Sequence, residues 1–184
     1  NNMFTSAPSL SIKDEILIGD STGKLLFIGF DGDLKRSFDL GSNTKYPAVS
    51  ALDGTIFVGT KQLFSLTPNG ELNWKSEIEG HYATRYLALT ASGDVIAPFM
   101  SGTTVRLFKF KKATGKNQFV IFSSKSAVIA ENDLAFFLRA ASLYGADSKK
   151  IIGESELWSA EVGRNVASSS GWMESPIVST AGTV

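Results

Sequence analysis

The residues able to do chemistry are few and poorly placed for it. His81 is the only histidine of the chain and cysteine is absent. A nucleophilic triad would therefore have to be built on His81, and neither a histidine-pair metal site nor a thiolate site can form. The surroundings Glu79-Gly80-His81-Tyr82 read as a connecting loop, so His81 is expected at the surface. Gly19-Asp20-Ser21-Thr22-Gly23-Lys24 has the outline of a phosphate loop, but three residues separate its glycines instead of four, and Leu25 stands where Ser or Thr is needed. It reads as a hairpin turn. Asp31-Gly32-Asp33 could offer carboxylates to calcium but lacks the succession of loop oxygens that such a site uses. Glu154, Glu156 and Glu161 have no apolar pocket to make one an acid and another a base, and are expected in water. Lys109-Phe110-Lys111-Lys112 fits a strand with one wet face and a charged edge. No catalytic, metal or cofactor residue is assigned.

The composition bounds the rest. In 184 residues, Lys+Arg and Asp+Glu both number 18, with 43% hydrophobic residues and 11% aromatics. Such a chain folds around a core. A formal net charge of zero offers no basic face to nucleic acid or an anionic membrane. Apolar runs such as Ile16 to Ile18 and Leu25 to Ile28 are too short to span a bilayer. Residues 1–6 lack the features of a signal peptide.

What must position any site is a repeat. Ala7-Pro8-Ser9-Leu10-Ser11 matches Tyr46-Pro47-Ala48-Val49-Ser50, Tyr86-Leu87-Ala88-Leu89-Thr90, Ser126-Ala127-Val128-Ile129-Ala130 and Ser175-Pro176-Ile177-Val178-Ser179. The second position of each falls at 8, 47, 87, 127 and 176, so three intervals are 39 or 40 and the last, at 49, carries a loop insertion. Each unit reads as four short strands separated by turns such as Asp53-Gly54 and Asn69-Gly70, dipeptides that accept positive φ. Leu134 to Leu143 is the one stretch whose spacing also suits a helix. Four antiparallel strands per unit of about 40 residues is the pattern of an all-β propeller blade; a β-sandwich is the competing architecture. The blades are expected at about 7–40, 46–78, 86–122 and 126–162, with an incomplete one at 175–184. That last start leads to the expectation of a fragment from a larger ring, with a closed four-bladed ring as the alternative.

The second unit, with Gly54-Thr55-Ile56-Phe57-Val58-Gly59, Leu63-Phe64-Ser65-Leu66 and Asn69-Gly70-Glu71-Leu72-Asn73-Trp74, resembles the PQQ-type propeller repeat of quinoprotein dehydrogenases and their non-catalytic relatives. That repeat carries a glycine turn followed by a tryptophan. Trp74 follows Gly70 by four residues, Phe119 follows Gly115 by four, Trp158 follows Gly153 by five and Phe38 follows Gly32 by six. With Pro47, Gly59 and Pro176 these are the expected structural positions of the repeat. The third unit departs from the pattern, with Pro98 at the place of Gly59.

The resemblance implies a seven- or eight-bladed ring, and a non-catalytic, bacterial, extracytoplasmic module, periplasmic, cell-surface or secreted, that binds a protein or polymer partner on one rim and uses no cofactor. Inter-blade loops and second-to-third-strand loops share a rim, which would present Tyr46, His81, Tyr82, Arg85, Met100, Arg139 and Trp172. Aromatic and arginine side chains anchor partners well; the same residues could equally cover blade edges. Two alternatives stand beside this reading. One is a piece of a PQQ-dependent dehydrogenase whose catalytic residues lie outside this segment, since the cysteine pair of many such enzymes is missing here. The other is a protein similar to the propeller lipoprotein of the outer-membrane β-barrel assembly machinery.

Overall fold

A computed structural model of the chain describes residues 3–76, 82–83, 86–123, 128–129, 134–139, 142–147 and 156–161. All elements among them are β-strands, in four antiparallel sheets. Sheet one contains β1 (Ser9–Leu10), β2 (Glu15–Gly19), β3 (Lys24–Gly29) and β4 (Leu34–Asp39), and sheet two contains β5 (Val49–Ser50), β6 (Ile56–Gly59), β7 (Leu63–Leu66) and β8 (Leu72–Ser76). In sheet three, β10 (Ala88–Leu89), β11 (Val95–Ser101), β12 (Thr104–Phe110) and β13 (Asn117–Ser123) follow one another, and a short β9 (Tyr82–Ala83) also pairs with β11. Sheet four has β14 (Val128–Ile129), β15 (Leu134–Arg139), β16 (Ser142–Asp147) and β17 (Glu156–Glu161). The Leu134 to Leu143 stretch is thus strand and hairpin, with Leu138 paired to Leu143.

The repeat is visible in hydrogen bonds. Ser11, Ala51 and Thr90 each donate their N–H to the carbonyl four residues on, at 2.8–2.9 Å, closing the turn between the first two strands. The left-handed position of that turn is held by Gly54 and Gly93, and in sheet one by Asp14 at φ 56°. Ser9, Val49, Ala88 and Val128 are opposite Leu17, Phe57, Ile96 and Phe136. This register puts Ala48, not Pro47, at the place of Pro8 and Leu87. Matching the two prolines slips the second unit by one residue, which would exchange its two faces. Ala48 and Leu87 are both buried, while Pro8, in the first sheet, is exposed.

Packing alternates along β6. Ile56 and Val58 join Leu17, Leu25 and Phe27 of sheet one in a common core, whereas Phe57 packs with Val95, Ala97, Phe99 and Phe110 of sheet three. Ile56, Phe57 and Val58 are all 0% exposed. Fully burying such a side chain contributes about 1.5–3 kcal/mol. A sheet covered on both faces by other sheets rules out the two-layer sandwich.

Between the third and fourth strands every sheet carries a register shift, at Phe27/Ile28, Ser65/Leu66, Leu107/Phe108 and Gly145/Ala146. Bulges of this kind strengthen local twist. Trp74 stands opposite Ser65 and Trp158 opposite Gly145. The residue in that place in sheet one is Arg36, opposite Phe27, rather than Phe38. Phe38 sits opposite Leu25 and meets Phe64 edge-on at 5.9 Å.

Trp74 and Arg36 perform the same task across successive sheets. The Trp74 indole lies on Gly115 and its Nε1–H donates to the Lys112 carbonyl at 2.6 Å. The edge of the Phe27 ring and the Arg36 guanidinium together lie on Gly70, and Arg36 donates to the Pro68 carbonyl at 2.9 Å. In both cases a planar group from one sheet covers the glycine turn of the next.

Candidate functional site

On the rim of inter-blade loops and second-to-third-strand hairpins, the Tyr46 and Tyr86 rings meet edge to face, centroids 5.3 Å apart at 66°. Tyr46 is half-buried and Tyr86 is 44% exposed. Met100, half-buried at the end of β11, stands opposite Val105 on one side and Tyr82 on the other. Arg139 occupies the corresponding hairpin of sheet four, opposite Ser142. Backbone register thus places Tyr82 beside Met100, and ring contact unites Tyr46 with Tyr86. His81, Arg85, Trp172 and Pro176 lie outside the described residues, while Phe119 is placed by strand alone, opposite Phe108. Tyr86 was absent from the sequence-based rim set; its place just before the first strand of its unit, like that of Tyr46, is the signal that could have included it.

Pro98 stands in β11, opposite Leu107. On the other side of β11, β10 pairs as far as Ile96 and β9 begins at Phe99, so Pro98 faces the break between them. A residue without an N–H is tolerated where a ladder is interrupted.

Glu15, Arg36, Asp53, Asp94, Lys111 and Lys112 pair with one another on the opposite rim. Arg36 forks onto Glu15 at 2.6 and 2.7 Å, and its guanidinium carbon lies 4.2 Å from the centre of the Phe27 ring. Asp94 accepts from Lys111 Nζ at 2.9 Å and the Lys112 N–H at 3.0 Å, with Lys109 Nζ at 3.7 Å. Burial pushes the Asp94 carboxyl up, but the Lys112 N–H and the lysine ammonium groups outweigh it and hold the pKa below the usual carboxylate range. Asp53, bound by Lys112 at 2.7 Å, is lowered to about 2, first by that hydrogen bond and then by the Thr55 N–H. The Lys109 to Lys112 run is therefore an ion-pair network joining sheets two and three.

The two loops with a chemical outline have structural occupations. Asp31 is bound by Lys35 at 2.5 Å and also accepts the Asp33 N–H. Asp20, 1% exposed, accepts the N–H groups of Thr22 and Lys24 at 2.9 Å each and so closes the β2–β3 hairpin. Among the described residues, no three His, Cys, Asp or Glu side chains gather as a metal site, and no helix is long and apolar enough to cross a membrane.

No protein-family model and no curated protein sequence matches this chain. Solved structures do. BamB from Moraxella catarrhalis is similar at a TM-score of 0.64 and 18% identity, over 86% of this chain and 53% of that one. Catalytically inactive virginiamycin B lyase from Staphylococcus aureus with quinupristin reaches 0.65 at 13% identity, over 87% and 56%. A streptogramin B lyase gives 0.60 at 12%, over 81% and 56%. The fold is that of a β-propeller. The chain spans about half the length of each of these structures. A fold shared with a lyase assigns no activity, because function resides in the site.

Proposed function

We propose that this chain is a non-catalytic propeller module that binds a protein or polymer partner through the rim bearing Tyr46 and Tyr86. The ring pair is the observation that carries this reading. Two aromatic side chains from successive units brace each other, and one keeps 44% of its surface open. A braced ring loses little freedom on binding and brings a large apolar face with a polar tip. Met100 and Tyr82, neighbours by register, extend the same rim. Arg139 belongs to it by its hairpin position. Glu15, Asp53 and Asp94 on the opposite rim are paired with arginine or lysine, which suits structural rather than acid–base roles.

The extracytoplasmic location follows from the PQQ-type resemblance. The likeness to BamB favours, as a second reading, the outer-membrane assembly propeller lipoprotein. The dehydrogenase reading requires catalytic residues outside this segment.

The test is crosslinking of the chain in an extracytoplasmic extract, comparing the native chain, a Tyr46→Ser/Tyr86→Ser variant and a control, Phe30→Ser, at an exposed ring on the opposite rim. The expected result is a specific partner captured by the native chain and the control but lost from the tyrosine variant. Equal capture by all three would overturn the rim assignment. Saturable binding of PQQ with calcium would instead support the enzyme reading.

A further inference from the structure

A formal net charge of zero hides an uneven distribution of charge. The ion pairs described above all lie on the rim opposite Tyr46 and Tyr86. On the tyrosine rim Lys24, Lys45 and Lys61 are exposed, and none of the three is in an ion pair. Lys24 opens β3, Lys45 precedes Tyr46, and Lys61 lies in the hairpin between β6 and β7. The acids of this rim in sheets one and two are Asp20 and Asp39. Asp20 is buried and accepts from the Thr22 and Lys24 N–H groups. Asp39, opposite Lys24 in the ladder, accepts the Gly41 N–H at 2.8 Å.

The backbone holds these amines in place beside the ring pair. Residues 42–46 run along the β2–β3 hairpin: a Cβ on Gly23 would lie 3.0 Å from the Ser42 nitrogen, and one on Gly19 would strike Thr44 Cγ2. Thr44 is 1% exposed, and its hydroxyl donates to the Tyr46 carbonyl at 2.9 Å. The loop is therefore anchored on either side of Lys45, whose own side chain is in water. Lys24 directly follows Gly23, so Lys24 and Lys45 stand on adjoining segments. Tyr46, next along the loop, braces the half-exposed ring of Tyr86. Unpaired ammonium groups beside an apolar ring face suit carboxylates that flank an apolar side chain. Screening limits their field to about 8 Å, and the other rim pairs its own charges, so a short acidic segment fits better than a long polyanion.

We propose that the tyrosine rim takes an acidic peptide segment of a protein partner, its carboxylates on Lys45 and Lys61 and an apolar side chain of the segment against Tyr86. Lys24, with Asp39 opposite, adds less. This rests on the rim assignment made above and adds to it the chemistry of the partner.

The test is a ¹H–¹⁵N NMR titration of the full chain with N-acetyl-Glu-Glu-Phe-Glu-Glu-amide, using N-acetyl-Gln-Gln-Phe-Gln-Gln-amide as the uncharged control. The acidic peptide is expected to shift the amides of Lys45, Tyr46, Lys61 and Tyr86 with a dissociation constant of about 1 mM, weakening roughly tenfold as salt rises from about 0.01 M to about 0.15 M. The uncharged peptide should bind more weakly and without that salt dependence. Lys45→Gln/Lys61→Gln, at exposed positions, should weaken the acidic peptide roughly fivefold and flatten its salt response. Lys13→Gln/Lys116→Gln, on the opposite rim, should change neither. Equal response to both peptides, or a lysine variant that binds like the native chain, would overturn the acidic partner and leave the rim assignment standing. Shifts confined to the opposite rim would overturn both. A response to the anionic polysaccharide alginate with none to the acidic peptide would overturn the peptide in favour of a polymer.

Discussion

Trp74 lies so close over Gly115 that a Cβ on the glycine would come within 2.6 Å of the indole. The same glycine has φ 67°, a conformation that side chains resist. Gly32 has φ 85° but nothing within 4 Å of the equivalent Cβ, which separates the two effects. Gly32→Ala should cost about 1–2 kcal/mol from backbone conformation alone. Gly115→Ala should cost a further ~1–3 kcal/mol because the indole must move. Urea unfolding of both variants measures the difference, and equal losses would show that the contact is slack.

Trp74 itself combines a ring stack on Phe110, with centroids 6.4 Å apart, and the hydrogen bond to the Lys112 carbonyl. Trp74→Phe should keep most of the stack and lose about 1 kcal/mol with the hydrogen bond. Trp74→Ala should lose about 3 kcal/mol or more, since the cover over Gly115 disappears. Denaturant midpoints followed by circular dichroism distinguish these outcomes.

Arg36 joins Glu15, Phe27 and the Pro68 carbonyl, and so binds three parts of two sheets at once. Glu15→Gln, Arg36→Met and the double variant form a cycle whose coupling energy should be about 1–3 kcal/mol. Arg36→Lys should recover less than half of it, because an ammonium cannot fork onto a carboxylate. A coupling near zero would make the pair incidental.

Acid should loosen the seam between sheets two and three first. The folded-state pKa values of Asp53 and Asp94 lie below the ordinary value of 3.8, that of Asp53 at about 2. Their stabilisation is therefore present above the unfolded pKa and is lost as pH falls through the folded one. The window runs from about pH 4 down to about pH 2 for Asp53. Unfolding at a series of pH values should show a shallower acid slope in Asp53→Asn and Asp94→Asn than in the native chain, with the three curves converging at the acid end. Parallel curves would remove the two aspartates from the account.

Much of this architecture was legible because local signals and global packing agree. Asp53-Gly54 and Asn69-Gly70 announce their hairpins by backbone preference, and the Ile56-Phe57-Val58 run announces a strand buried on both faces. The errors came where one position is filled by different chemistry. Pro47 attracted an alignment to Pro8 that the hydrogen bonds place one residue away. Arg36 carries no aromatic signal in the sequence, yet its planar guanidinium, beside the Phe27 ring, meets the Gly70 turn and donates to it as the Trp74 indole does at Gly115. The Tyr46–Tyr86 contact is nonlocal, and repeat spacing alone could place the two rings on one rim without bringing them together.

The grip of sheets one and two on the glycine turns of their successors gives the array a direction. Arg36 reaches forward to Pro68 and Trp74 reaches forward to Lys112, always from a fourth strand toward a later turn. A unit therefore has a front that holds and a back that is held, and two fronts cannot mate. Copying the second unit in tandem would create one new junction, with Trp74 turned toward a Gly70 turn in the correct sense, whereas inverting a unit would leave two unmatched surfaces.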